Sequence, residues 1–320
     1  MTSPNLEFAR SHLGEIRQAA ERISPHVRRT PALSTDLDPT LVLKPECFQV
    51  TGSFKARGAF NAVLKLPEGT SGVVTASSGN HAQAVALAAR TAGLKALILI
   101  PEGANPTKVA ATRALGAEVV SDGITFANRD QKLVEAVERS GYTLVHPYDD
   151  WDVIHGQGTG GLELLEDVGD LDLVACPVGG GGQLSGWALA IKATRPEVRV
   201  VGVEPAAADD AFRSFRSGRL ERLETAPETI ADGVRTLSIG RKNFEVLIAN
   251  GLMDDIVTVT EREIEMALLT AWLRCKIALE PTGALSLAAF LAGKLPPSRR
   301  VGLVLSGGNA DPALVARLLR

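Results

Sequence analysis

Aromatic residues are scarce: phenylalanine, tryptophan and tyrosine make up 4% of 320 residues, with 2 tyrosines and 3 tryptophans. That argues against a stacking platform for single-stranded nucleic acid, which needs aromatic faces, and against a carbohydrate-binding surface. Cysteine is scarce too. Cys47, Cys176 and Cys275 are widely spaced, odd in number and without a CxxC pair. This argues against a zinc site or a thioredoxin-type motif and reads as buried, reduced thiols in a cytoplasmic protein. There is no basic stripe. The formal net charge is -3 with both signs interspersed, so nucleic acid is not an expected partner. No apolar run approaches a membrane span, and the N-terminus has charges every few residues and no signal core. No internal repeat, low-complexity tract or exposed linker stands out.

What remains is an ordinary globular composition, 45% hydrophobic and 22% charged. The length suggests two domains, each able to bury a core without a disulfide or metal staple. Short apolar runs alternate with helical patterns. Strands are expected at 72–77, 95–102, 117–121 and 143–147, with helices after 78, from 106 and over 125–139. A Gly-rich helix follows near 152–167, then continuous apolar strands at 171–178, 198–205 and 299–308. The connections are too long for hairpins, so the sheets should be mostly parallel. Residues 205–255 read as loop-rich. A helix over 261–275 starts after Thr260, which forms a capping box with Glu263.

Ligands of open α/β sheets bind at the carboxyl ends of strands. Three strands there end in loops of the same character: "SSGNHA", "GGGGQLSG" and "SGGNAD". Gly179, Gly180, Gly181 and Gly182 lie between a buried strand and a helix. The plain reading is a tight turn. Four glycines in a row carry a large backbone entropy cost for a turn alone, whereas successive amides at a helix start form an anion nest. The dinucleotide pattern GxGxxG fails, because its last position is Ser185, and no Gly-Lys-Ser/Thr follows for a nucleotide loop. A phosphomonoester on a cofactor fits, and pyridoxal 5'-phosphate (PLP) would also need a lysine. In "TGSFKARGAFNAV", Lys55 sits between Phe54 and Ala56, flanked by Gly52 and Gly58. It is either a polar helix edge or a reacting amine, and the glycine loop makes it the candidate. The sequence suggests no role for Arg57.

Seven motifs in order, "SFKARGA", "SSGNHAQ", "PVGGGGQLSG", "EPAAADD", "ETIADGVRT", "EPTGA" and "SGGN", span nearly the whole chain. Together they resemble the fold type II PLP enzymes, among them the serine/threonine dehydratases (threonine ammonia-lyases) and serine racemases. The resemblance implies an α/β fold of two lobes, each an open, mostly parallel sheet of the tryptophan synthase β-like kind, with the cofactor between them. It implies a small domain over 72–149, a large domain from 1–71 and 150–320, and a homodimer. Lys55 would bond the cofactor as a Schiff base and remove the substrate Cα proton, with Phe54 packing beside the cofactor. The four glycines would hold the phosphate, Asn80 would meet the pyridoxal 3-oxygen and Ser306 the pyridine nitrogen. A serine at that last position leaves the nitrogen free to stay unprotonated, which favours quick β-elimination.

The substrate carboxylate would meet Ser77, Ser78, Asn80 and His81 at a helix start. A lone serine there reads equally as an N-cap, and His81 as a satisfied first-turn histidine. Ser78 stands where racemases carry the second base, a serine that some dehydratases share. Tyr148 departs from the asparagine of mammalian-type racemases and looks like the aromatic of threonine dehydratases. Glu204, the carbonyl of Ala208 and Asp210 match the divalent-cation site of the family's metal-dependent branch, which takes Mg2+, Ca2+ or Mn2+. Without the resemblance they read as an exposed acidic loop capping the next helix.

The implied reaction is dehydration and deamination of L-threonine or L-serine to 2-oxobutanoate or pyruvate plus ammonia. No clear carboxylic acid is offered for the leaving hydroxyl, which leaves the cofactor phosphate. The alternatives are serine racemase or threo-3-hydroxyaspartate dehydratase on the same scaffold. Arg129 would favour a second carboxylate if it faces the cleft; otherwise it is a solvated helix charge. A catalytically idle PLP- or amino-acid-binding protein is the alternative of another class, and intact Lys55, Asn80 and Ser306 count against it. The end at Arg320 leaves no room for a C-terminal regulatory domain, so feedback control is not expected.

Overall fold

The structure is a computed structural model that describes residues 4–104, 106–125 and 127–318. Two sheets organise it. The larger has six strands: β1 (Leu33–Ser34), β2 (Leu41–Pro45), β7 (Leu173–Pro177), β8 (Arg199–Pro205), β9 (Asp255–Val259) and β10 (Val301–Leu305), in the order β1-β2-β10-β7-β8-β9. The smaller has four: β3 (Gly72–Ala76), β4 (Lys95–Leu99), β5 (Glu118–Val120) and β6 (Thr143–Leu144), in the order β5-β4-β3-β6. Every pairing is parallel except β1 with β2. Each sheet is the centre of a lobe. All strands of the small sheet come from one continuous stretch, and the large sheet is built from segments on both sides of it.

The helices that bear on the site are α1 (Leu6–Ile23), α2 (Lys55–Leu64), α3 (Asn80–Thr91), α4 (Pro106–Ala114), α5 (Arg129–Ser140), α6 (Trp151–Asp167), α7 (Gly182–Thr194) and α8 (Asp210–Ser217). Strands β3, β7 and β10 are buried along their whole length, which is why they read as unbroken apolar runs. α3 buries Ala82, Ala84, Ala86, Ala88 and Ala89, small side chains that let it lie close to its neighbours. Gly156 serves the same end in α6: a Cβ there would stand 2.6 Å from the Arg57 carbonyl of α2.

Several elements differ from the sequence expectation. The stretch 205–255 is not simply loop: it holds α8, the helix Arg241–Phe244 and a π-helical turn, Glu245–Ala249. These pieces are short and bury few apolar side chains each, so they carry little periodicity. β2 escaped notice because Lys44 and Pro45 interrupt its apolar run; yet Lys44 is fully buried. The helix from Glu261 is α-helical to Thr270 and continues as a π-helical turn, Ala271–Cys275, and Thr260 and Glu263 form the expected capping box. The expected strand 143–147 pairs only over Thr143–Leu144. α5 starts at Arg129; Phe126, inside the expected 125–139 helix, lies outside the described residues. Of the cysteines only Cys176 is fully buried, Cys47 and Cys275 being half-buried. Among the described residues no helix is long and apolar enough to cross a membrane.

Candidate active site

A cavity of about 400 Å³ opens between the lobes. Phe54, Lys55, Gly180, Glu280 and Ser306 line it from the large lobe; Ser77, Ser78, Asn80, His81 and Tyr148 line the other side. A larger cavity of about 650 Å³ lies between α1, α2, α6 and the end of α7. No lysine lines it and no glycine loop reaches it, so chemistry, not size, marks the smaller one.

Lys55 is the first residue of α2. Its position is set by a splice between two chain segments. Phe54 N–H donates to Ser306 O at 3.1 Å, and Gly308 N–H donates to Gly52 O at 2.9 Å. Asn309 Nδ2 adds a bond to Thr51 O at 2.8 Å. The "SFK" and "SGGN" motifs, some 250 residues apart, are therefore one piece of structure. Lys55 Nζ donates to Pro147 O at 2.7 Å and lies 5.0 Å from the centre of the Phe54 ring. Burial alone lowers its pKa to about 8.

The glycine loop joins β7 to α7. Gly181 has φ +91°, a conformation that disfavours side chains, and a Cβ there would stand 2.7 Å from Asn243 Cβ. A Cβ on Gly180 would run into the Tyr148 ring. Packing thus forbids side chains here whatever the loop binds. What points to an anion is that the loop opens the 13-residue helix α7 and that Gly180 faces the same cavity as the Lys55 amine.

Ser77 to His81 lead from β3 into α3. Ser77 Oγ accepts from Gly79 N–H at 3.3 Å, a turn bond rather than a helix cap, and Ser78 is exposed at the cavity edge. His81 is buried, its Nε2 meets Val145 O at 3.0 Å, and burial, then the Lys55 charge, pushes its pKa down to about 3. Its ring is neutral with Nε2 as donor, so Nδ1 is a lone pair and cannot donate to a carboxylate. Ser306 is buried at the end of β10, its Oγ 3.5 Å from Thr282 O.

Two functional features escaped the sequence reading. Glu280, quoted within "EPTGA" without a role, is a buried cavity-lining carboxyl whose Oε1 accepts from Asn80 Nδ2 at 2.6 Å. Burial, then Asp232, pushes its pKa up to about 7. The other is Arg57. It is buried behind Lys55 and gripped on two edges, by Glu46 at 2.8 and 2.9 Å and by Glu163 at 2.7 and 2.7 Å. Lys44 Nζ joins Glu163 at 2.9 Å.

At the carboxyl end of β8, Glu204 and Asp210 are both buried. Glu204 accepts from Ala211 and Phe212 N–H at 3.2 and 2.9 Å, so it caps α8, but from a buried position and not from the exposed loop of the plain reading. Asp210 is different: neither carboxylate oxygen has a hydrogen-bond partner of normal geometry, though the amides of Asp210 and Ile239 stand near enough to offset some of the burial. Burial still pushes its pKa up to about 7. Among the described residues no three His, Cys, Asp or Glu side chains converge, so any cation here would need carbonyl or water oxygens besides these two groups.

A family model described as pyridoxal-phosphate dependent enzyme matches residues 23–307. The chain belongs to this PLP-dependent family. It is 41% identical over 314 residues to an L-threo-3-hydroxyaspartate ammonia-lyase of Saccharomyces cerevisiae, covering 96% of this chain and 95% of the relative. It is 40% identical over 320 residues to a serine racemase of Arabidopsis thaliana, covering 96% of each. Among solved structures, a serine racemase of maize matches with a TM-score of 0.90 and 38% identity, over 96% of each chain. A crystal structure of a threonine deaminase matches with a TM-score of 0.89 and 48% identity, over 93% of this chain and 98% of that one. The architecture is thus that of fold type II PLP enzymes, as the motifs implied. The cavity suits the cofactor: it offers one amine of lowered pKa, a helix N-terminus free of side chains for a phosphate, and a buried serine at a strand end.

Proposed function

We propose that this PLP-dependent enzyme is an ammonia-lyase that dehydrates L-threonine or L-serine. The observation that carries the reading is the Lys55 amine, lowered to about pKa 8 inside the cavity between glycine loop and serine loop. Lys55 and Phe54, Asn80, Gly179 to Gly182 and Ser306 would hold the cofactor. When bound, PLP supplies a sink for the electron pair left at the substrate Cα. Lys55 Nζ takes the Cα proton, for which a neutral amine is required. The substrate carboxylate meets Ser77, Ser78 and the amides at the start of α3, with His81 contributing its backbone N–H and not its ring. As the Cα–Cβ double bond forms and the Cβ–O bond breaks, the hydroxyl would take up one proton, balanced by the one Lys55 took from Cα, and leave as water; uptake of one water then yields 2-oxobutanoate or pyruvate and ammonium.

The charged lining bears on whether the substrate carries one carboxylate or two. Besides Lys55, the cavity is lined by Lys108, Arg129 and Arg235 and by Asp130, Asp232 and Glu280. Lys108 is committed to Asp232 at 2.6 Å and Arg129 to Asp130 at 3.3 Å. Arg129 thus faces the cleft, and among the described residues the Arg235 side chain donates only to the Thr229 carbonyl, so a second carboxylate, as in hydroxyaspartate, would meet a cation there without displacing an ion pair. The Tyr148 ring against Gly180 agrees with the threonine-type reading. Ser78 would be the second base if the protein racemises serine. A panel of β-hydroxy amino acids, scored together for 2-oxo acid and for enantiomer, tests the reading. We expect threonine or serine to be converted to the 2-oxo acid; hydroxyaspartate exceeding both in kcat/KM would move the assignment to a hydroxyaspartate dehydratase. D-serine forming faster than pyruvate would overturn the lyase reading.

A divalent cation, Mg2+, Ca2+ or Mn2+, bound by Glu204, Ala208 O and Asp210 would compensate the orphaned Asp210 carboxylate. Binding to the folded state alone, at about 100 times Kd, stabilises by about 2.7 kcal/mol. Chelation should then lower the melting temperature by about 4 °C, and added magnesium should restore it. Asp210→Ala should melt at the same temperature with and without magnesium. A magnesium response retained in Asp210→Ala would remove these ligands from consideration.

The remaining assignments follow the same resemblance. The small domain spans 72–149, the large one 1–71 and 150–320, and the protein works as a homodimer in the cytoplasm. Burial keeps the Cys47 and Cys176 thiols protonated, Cys47 at a pKa of about 12, which supports inert thiols in a reducing compartment. Sedimentation of the purified protein tests the dimer.

A further inference from the structure

Asn80 opens α3 in the small lobe, yet its side chain is held by two residues of the large lobe. Its Nδ2 donates to Glu280 Oε1 at 2.6 Å, and its Oδ1 accepts from Asn309 Nδ2 at 2.7 Å. The arrangement fixes which way the amide points. Turned over, it would set its NH2 against the Asn309 NH2 and its oxygen against the Glu280 carboxyl. Both partners are themselves tied down. Asn309 Nδ2 also donates to Thr51 O at 2.8 Å, and Glu280 N–H donates to Gly307 O at 3.1 Å. Gly307 has no room for a side chain because the Glu280 carboxyl occupies it. A second bond between lobes, Lys108 to Asp232, flanks the pair.

We propose that Glu280 and Asn309 are positioning residues that reach across the lobes and fix the Asn80 amide in one orientation toward the cofactor. The proposal rests on the reading that Asn80 addresses PLP. Its strength varies with the charge on Glu280. The groups facing that carboxyl are Asp232 from the Asp232–Val234 turn, Lys108 from α4, Asn80 from α3 and the Cys47 thiol beside β2. Burial first, then Asp232, holds its pKa at about 7 against Lys108 and the Asn80 bond. A carboxylate accepts a stronger hydrogen bond than a neutral acid, so the grip tightens as pH rises through about 7.

The test is PLP binding to PLP-free protein, followed by fluorescence from pH 6 to pH 8. Glu280→Gln keeps an acceptor but cannot ionise. It should bind PLP like the parent at pH 6 and about tenfold more weakly at pH 8, by the gain expected of a charged acceptor. Glu280→Ala and Asn309→Ala should each bind about tenfold more weakly at pH 8. Each effect should vanish in an Asn80→Ala background, because coupled residues are not additive.

Melting of the PLP-free protein is an independent readout. A carboxyl whose folded pKa is raised adds stability below its unfolded value, and that contribution is lost as pH rises toward the folded one. From pH 5 to pH 8 the parent should therefore lose about 5 °C relative to Glu280→Gln. If Asn80→Ala binds PLP like the parent, the underlying reading of Asn80 fails. If Asn80→Ala is weak but Glu280→Gln follows the parent at every pH, or Asn309→Ala binds normally, the grip across the lobes is wrong.

Discussion

Lys55→Ala should abolish turnover, with kcat falling by at least about 10³–10⁴-fold, because in the reaction we propose one side chain is both the covalent anchor and the proton acceptor. The physical basis is the state of the amine. At pH 7.5 an ordinary lysine is neutral in about one molecule in a thousand. With its pKa at about 8, roughly a quarter of the Lys55 amines are neutral at that pH. Its partner is the Pro147 carbonyl, at 2.7 Å, which accepts a hydrogen bond from either form and supplies no full negative charge to hold the proton on. Two measurements separate this from a folding defect. Borohydride reduction should link PLP permanently to the parent and leave Lys55→Ala unlabelled. The rate at which PLP-free parent captures PLP should rise with pH through about 8, as the neutral fraction grows. A variant that is labelled, or that keeps full turnover, would take the lysine out of the reaction.

What the sequence made legible was whatever depends on local pattern. β3, β7 and β10 are buried on both faces, so their apolar runs could be read directly. The loops that follow them carry residue types a strand or helix interior would not choose, and all three loops contribute to the cavity. The glycine loop was legible for two reasons that coincide. Packing against Tyr148, Val234 and Asn243 forbids side chains, and so would an anion held by backbone amides. The sequence alone could not separate these, and the structure shows that the first holds regardless of the second.

What stayed hidden depends on distant partners. Lys44 interrupts an apolar run in the sequence, but in the fold its charge is matched by Glu163, 119 residues away. Glu280 stands in front of Pro281 within "EPTGA", and nothing local gives it a role. Only the approach of the small lobe gives it Asn80 as a partner and a cavity to face. The sequence pointed to no acid within the cavity, whereas the fold places a carboxyl there whose pKa of about 7 keeps it partly protonated at neutral pH. Asp210 and Glu204 were visible as acids in a loop, but burial, which decides whether they need a counter-charge, was not.

Arg57, which the sequence left without a role, should be the most expensive polar side chain to remove. It sits two residues after Lys55 and is 1% exposed. Its guanidinium holds Glu46 and Glu163 by paired bonds, and these carboxylates come from the segment after β2 and from α6. With Lys44 the cluster has two positive and two negative charges, so it is neutral as built. Arg57→Met removes one positive charge and leaves Glu46, 0% exposed, without its main partner. Breaking one side of a buried pair typically costs about 3–5 kcal/mol, more than the pair itself contributes. The melting temperature should fall by about 4–7 °C. Arg57→Lys should recover only part of this, since an ammonium cannot make two paired bonds at once.

The pH dependence gives a sharper check. Burial alone would raise the Glu163 pKa, but the hydrogen bonds and charge of Arg57 outweigh it and hold it below the usual carboxylate range. A lowered folded pKa contributes stability above the unfolded value and loses it as pH falls through the folded one. The gap between parent and Arg57→Met should therefore be widest near neutral pH and shrink in acid. Because the cluster braces the first turn of α2, PLP capture by Lys55 should also slow in Arg57→Met at temperatures where the variant is still folded. An Arg57→Met protein that melts within about 1 °C of the parent at pH 7.5, less than 1 kcal/mol for a chain of this size, would mean the carboxylates find another counter-charge.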